Sequence, residues 1–161
     1  MKTMPSTTAC ETRACGTSNE REPIVNRSLV NRMGEYLNAG LAMDVEWLDA
    51  LYDSSFENIR FDEDGQVVTL TKNQFMARFR ALREQGLKVG ESLDEVRLLA
   101  TSVYDGHGSI IMRRVQEGVP VLYNFVWRWQ DGRWTTLLRE FTFHKDITSL
   151  VSMIESESSP A

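Results

Sequence analysis

A chain of 161 residues with 42% hydrophobic content is about one domain long and apolar enough to bury a single core, with no room for a second. Its 18 basic and 23 acidic side chains leave a net charge of -5, which works against a sequence-independent grip on nucleic-acid phosphates. No apolar run approaches the ~20 residues of a membrane-crossing helix, and residues 1–23 lack the apolar centre of a secretory signal, so the expectation is a cytoplasmic protein that engages neither nucleic acid nor membrane.

In residues 1–23, Thr, Ser, Glu and Arg dominate and large apolar side chains are almost missing. Burial there cannot offset the entropy cost of ordering, and the segment reads as a disordered tail. Residues 155–161 read the same way, which leaves residues 24–154 as one compact domain without internal repeats or long linkers. The two cysteines, Cys10 and Cys15, both lie in the tail and cannot staple the core. They read as free thiols, with a tail disulfide or a redox sensor as the alternatives. A zinc site wants four ligands, and the two histidines, His107 and His144, stand far along the chain at the wrong spacing, so no metal is expected.

Three helices come first. Over residues 24–39, Val25, Leu29, Met33 and Leu37 recur at four-residue spacing, and Gly40 offers a stop. Asp44 announces a shorter helix with Trp47, Leu48, Leu51 and Tyr52 on one side. Thr71 and Gln74 form a capping box for the third, which carries Phe75, Phe79 and Leu82 on one face and ends at Gly86.

The second half reads as consecutive antiparallel strands over residues 95–104, 108–116, 120–130 and 134–144, separated by turns at Asp105-Gly106, Glu117-Gly118 and Asp131-Gly132. In the third of these, Val121, Tyr123, Phe125, Trp127 and Trp129 share the face that should meet the core. A short earlier strand spans residues 55–61 and ends at Asp64-Gly65. The pattern predicts an α+β domain with helices over the concave face of a curved antiparallel sheet.

The segment Leu37-Asn38-Ala39-Gly40, then Leu51-Tyr52-Asp53, then Phe61 to Gly65 leading into a strand and the helix at Thr71, resembles the front half of nuclear transport factor 2-like proteins. Phe125-Val126-Trp127-Arg128-Trp129, the turn Asp131-Gly132-Arg133-Trp134 and the final strand to Phe143 resemble the back half. The likeness runs from about Val25 to Lys145 and is nearest the small bacterial branch of polyketide cyclase-like and ketosteroid isomerase-like domains. It implies a cone-shaped sheet with three covering helices and a small-molecule ligand, with no cofactor expected; a homodimer is expected separately, because the sheet face away from the helices is open and carries Leu122, Val126 and Leu138. Aligned through Leu-Asn-Ala-Gly, the positions that carry isomerase chemistry fall on Met33, on about Ile59 and on Phe125, all apolar, which argues against steroid-type isomerisation.

The same alignment puts Glu57 and Ile59 on one inward face, Tyr123, Phe125 and Trp127 on a second, and Leu137, Arg139 and Phe141 on a third. Glu57, Tyr123 and Arg139 are then the candidate catalytic residues: Arg139 to pair a ligand carboxylate or enolate, Tyr123 to donate a hydrogen bond, Glu57 to act as base. Met33, Ile59, Phe125, Trp127, Leu137 and Phe141 would form the ligand-binding wall. A plainer reading pairs Arg139 with Glu57 or Glu140 and leaves Tyr123 as packing. Likewise Trp127, Trp129 and Trp134 read as core or dimer surface before a stacking platform, and Arg78, Arg80 and Arg83 as a solvated face.

Two functional classes stay open. One is a ligand binder or a cofactor-free isomerase, cyclase or dehydratase acting on a small apolar carbonyl or anionic compound in the cone. The other is a dimerisation or protein-interaction module with a filled cone, pairing copies through Leu122, Val126 and Leu138 on the outer sheet face.

Overall fold

The computed structural model describes residues 26–90 and 92–159, so the expected N-terminal tail with Cys10 and Cys15 lies outside the described residues. The element order is α1 (Arg27–Leu41), α2 (Val45–Leu51), β1 (Tyr52–Phe61), β2 (Val67–Thr71), α3 (Lys72–Glu84), β3 (Arg97–Tyr104), β4 (His107–Gln116), β5 (Val119–Gln130), β6 (Arg133–Phe143) and α4 (Thr148–Ser158). None of the described helices is long and apolar enough to cross a membrane.

Local chemistry sets most boundaries. α1 starts where the Asn26 side chain accepts the Leu29 N–H at 3.0 Å. It runs past Gly40, and the chain turns out at Met43, whose φ of 54° is left-handed. Asp44 caps α2 by accepting from Trp47 N–H. The capping box of α3 is reciprocal: Gln74 N–H donates to Thr71 Oγ1 at 3.3 Å, and Thr71 N–H donates to Gln74 Oε1 at 3.0 Å. Each of the three hairpins from β3 to β6 closes on two left-handed residues, Asp105-Gly106 (43° and 70°), Glu117-Gly118 (51° and 79°) and Asp131-Gly132 (53° and 75°). Such turns match the right-handed twist of the strands they join, which is why Gly occupies the second position.

The six strands lie in the order β2-β1-β6-β5-β4-β3. All neighbours are antiparallel except β1 and β6, which run parallel, so the sheet is mixed where a wholly antiparallel one is expected. No turn joins that pair, and the alternation of apolar residues carries no information about strand direction. A fourth helix also appears. Ile147, Leu150, Val151 and Ile154 recur at helical spacing and pack with Val68, Leu70 and Phe75, so α4 continues through residues 155–158 that composition assigns to a disordered end.

The other helices press Leu29, Met33, Leu48 and Met76 onto the concave face, where they meet Phe56, Phe125 and Trp127. Each of these fully buried side chains contributes about 1.5–3 kcal/mol of transfer free energy. The narrow end is sealed by Trp134, whose Nε1 donates to Ser28 Oγ at 2.9 Å. Gly108 makes this seal possible, because a Cβ there would lie 2.7 Å from the Trp134 ring.

One irregularity decides what faces inward. Trp127 pairs with Leu137 but Val126 pairs with Arg139, so Leu138 is an extra residue, a β-bulge. Beyond it the alternation of β6 is inverted. Glu140 and Thr142 are buried, while Arg139 and Phe141 are only half-buried.

Candidate functional site

The strand registers arrange the concave face in rows. Ile110, Phe125, Glu140, Asn58 and Leu70 form one row from β4 to β2. Met112, Tyr123, Thr142, Arg60 and Val68 form the next. Nearer the open end come Arg114 and Val121, with His144 following Thr142 by alternation. An apolar wall of β4 and β5 thus faces a polar strip on β6 and β1.

Glu140 is the centre of that strip. It is 6% exposed, and burial pushes its carboxyl up to about 7 against the pull of Arg60 and of nearby Tyr36, Asn58 and Thr142. These neighbours moderate the rise without closing the network: Glu140 Oε2, Asn58 Nδ2 and Thr142 Oγ1 are buried with no hydrogen-bond partner of ordinary geometry. Above them the Tyr36 and Tyr52 hydroxyls lie 2.9 Å apart. Burial, and then the charge of Glu140, raises both phenols well above their ordinary range. The same two causes push Tyr123 up to about 12, and its hydroxyl accepts from Gln116 Nε2 at 2.7 Å. At neutral pH the tyrosines therefore keep their protons, and Glu140 is the group poised to exchange one.

A cleft of about 1180 Å³ opens at the end of this face, lined by Gly90, Arg114, Gln116, Val119, Val121 and His144 among others and not by Glu140, Asn58 or Thr142, which lie deeper. A smaller pocket of about 50 Å³ beside Tyr36 and Tyr52 shares Gly90 and Arg114 with it. Burial, and then Arg60, pushes the His144 pKa down, and its Nε2 is buried without a partner. Among the described residues no three His, Cys, Asp or Glu side chains are grouped to hold a metal.

A solved protein from Silicibacter pomeroyi DSS-3, described as NTF-2 like and of unknown function, superposes with a TM-score of 0.56 at 13% identity, over 72% of this chain and 92% of that one. An NTF2-like protein from Shewanella baltica OS155, also of unknown function, gives 0.54 at 13% identity over 72% and 90%. The chain has the nuclear transport factor 2-like fold. No family model and no curated protein matches it in sequence.

Within this nuclear transport factor 2-like cone the sequence candidates divide. Tyr123, Phe125, Trp127, Met33 and Leu137 stand inside and are packed in the core, where Trp127 Nε1 is buried without a hydrogen-bond partner. Glu57, Ile59, Arg139 and Phe141 lie on the outer face, which corrects the expected inward set. Phe56 and Asn58 are the buried residues of β1, so Glu57 and Ile59 point the other way; the Leu138 bulge does the same to Arg139 and Phe141. There Arg139 Nε lies 3.5 Å from Glu57 Oε2, and its Nη1 donates to the Ser55 and Leu138 carbonyls at 2.6 Å. Arg139 is tied to Glu57, as the plainer reading has it, and neither faces the cleft.

The inner polar residues Tyr36, Tyr52, Asn58, Arg60, Glu140 and Thr142 were not among the candidates. Two signals in the sequence point to them. Phe56 shares parity with Asn58 and Arg60, and the adjacent pair Leu137-Leu138 breaks the alternation of β6 where the bulge occurs.

Proposed function

We propose that the cone is a small-molecule site in which Glu140 exchanges a proton with the bound compound, so that the chain acts as a cofactor-free enzyme on a small carbonyl substrate. The observation that carries this reading is the Glu140 carboxyl buried on the concave face beside Asn58 and Thr142, where Oε2, Nδ2 and Oγ1 make no hydrogen bond of ordinary geometry. Buried polar atoms so weakly bonded gain from a ligand that supplies donors and acceptors. A carboxyl titrating near 7 is half-ionised at neutral pH and serves as base or acid with equal ease. Isomerisation, cyclisation and dehydration next to a carbonyl all need such a group.

The test is α-proton exchange. Small ketones and β-ketoesters are incubated with the protein in D2O and followed by proton NMR, with Glu140→Gln alongside. The wild type should bind a subset of these compounds and wash out their α-protons, and the variant should bind without exchange. Binding with no exchange by the wild type removes the catalytic part of the proposal, and no binding removes the site.

The outer face supports a second, compatible reading, a homodimer. Leu122, 42% exposed, pairs with Phe143, 51% exposed, and the row continues through Phe61 to Val67. Ile111, 40% exposed, flanks it from β4. An apolar row of this length is covered in the proposal by the same row of a second copy about a two-fold axis. Leu138 is buried at the bulge and adds little to that surface.

A further inference from the structure

Glu140, Thr142 and His144 follow one another at every second position along β6 and just past its end. Each holds a buried polar atom without a hydrogen bond of ordinary geometry: Glu140 Oε2, Thr142 Oγ1 and His144 Nε2. The column runs from the inside outward. Glu140 and Thr142 are buried and line neither the cleft nor the smaller pocket, whereas His144 is half-buried and lines the cleft. The backbone fixes its place, since the His144 N–H donates to the Phe61 carbonyl at 2.8 Å. A carboxyl shut off from solvent exchanges protons through neighbours that both accept and donate, and a hydroxyl and an imidazole do both.

We propose that Glu140 trades protons with the cleft along this column, through the Thr142 hydroxyl and the His144 ring. This rests on the reading of Glu140 as the proton-exchanging group of the site. Thr142 lies next to the Glu140 carboxyl and acts on it. Alternate residues of a strand stand about 7 Å apart, a gap that the long His144 side chain and one bridging water close between Thr142 Oγ1 and His144 Nε2. To load Glu140, a proton from the cleft binds His144 Nδ1 and the ring releases its Nε2 proton to the water. The water passes a proton to Thr142 Oγ1, and the hydroxyl gives its own to Glu140 Oε2. Ring and carboxyl both end neutral, the ring in its other tautomer, so no charge is stranded midway. Unloading runs the same steps backwards. Around the column stand Tyr36 from α1, Tyr52 and Arg60 from β1, Arg114 from β4 and Tyr123 from β5, with Lys145 and Asp146 beside His144 at the cleft. Burial holds the three phenols protonated, and burial, then Arg60, favours the neutral form of His144, which keeps one ring nitrogen free to accept.

A light-triggered pH drop from 8 to 6 in the full chain, followed through the infrared C=O band of the protonated carboxyl, tests this. The band is assigned by its loss in Glu140→Gln. Thr142→Val, which keeps the shape of the side chain, and His144→Ala should each slow protonation of Glu140 about tenfold to a hundredfold, as loss of a positioned proton carrier does. Imidazole in solution should restore the rate in His144→Ala and not in Thr142→Val, a rescue that a purely structural histidine would not show. Wild-type rates in both variants overturn the relay and leave Glu140 as the proton-exchanging group. Slowing in His144→Ala that imidazole does not relieve overturns it as well. A Glu140 band that does not change between the two pH values overturns the relay and the reading of Glu140 together.

Discussion

Replacing Glu140 with Gln keeps its shape and removes its charge, and the consequence for stability follows from the raised pKa. The folded protein holds this proton more tightly than the unfolded chain, since the carboxyl moves from 4.5 to about 7. Below pH 4.5 both states are protonated and the group costs nothing. Between 4.5 and 7 the penalty grows, and above about 7 it is complete. At 1.36 kcal/mol for each pH unit the full penalty is about 3 kcal/mol. Glu140→Gln never ionises, so relative to the wild type it should gain about 3 kcal/mol between pH 4.5 and pH 8. Urea unfolding of both proteins at pH 4.5, 6 and 8 measures this as a difference of differences. Asp53, Asp62 and Asp146, held below the ordinary carboxylate range, and His144, held low by burial, titrate alike in both proteins and cancel. A stability difference that stays constant across this range would show that Glu140 is not buried as a lone carboxyl, and the reasoning would fail with it.

On the outer face, Arg139→Met should cost about 1 kcal/mol, because its pairing with Glu57 is partly exposed and its remaining bonds are to backbone carbonyls; a loss of several kcal/mol in denaturant titration would mean that the arginine is a buried structural charge instead. Leu122→Glu should convert dimers to monomers in sedimentation velocity at micromolar concentration, and a wild type that sediments only as a monomer rejects the proposed pairing.

What the sequence made legible was whatever is encoded locally. Asp44 and Thr71 meet orphan N–H groups within three residues, so two helix starts are legible from side-chain chemistry alone, while α1 starts at Asn26 and not at residue 24 as its apolar periodicity suggests. The Asp-Gly and Glu-Gly pairs fix hairpin turns in the same way, and those turns set the register that places Tyr123, Phe125 and Trp127 inside. The candidate site depended on non-local facts. Arg139 and Phe141 follow the expected alternation until Leu138 adds one residue, and from there each side chain trades faces. Glu57 and Ile59 stand on the parity opposite to Tyr52, Phe56 and Asn58, the buried residues that set the inward face of β1. Glu140 was legible only as a partner for Arg139, because a carboxylate in a strand reads as solvated until the bulge turns it inward.

The parallel pairing of β1 with β6 also governs the order in which the molecule can be built. The hairpins from β3 to β6 join neighbours in sequence and can close one after another. β1 has only β2 beside it until the last strand exists, since its other partner is made near the end of the chain. During synthesis the apolar faces of α1 and α2 are likewise without the sheet they cover, and this early half is the part that needs shielding from aggregation. The last strand to be made is the one that admits the first.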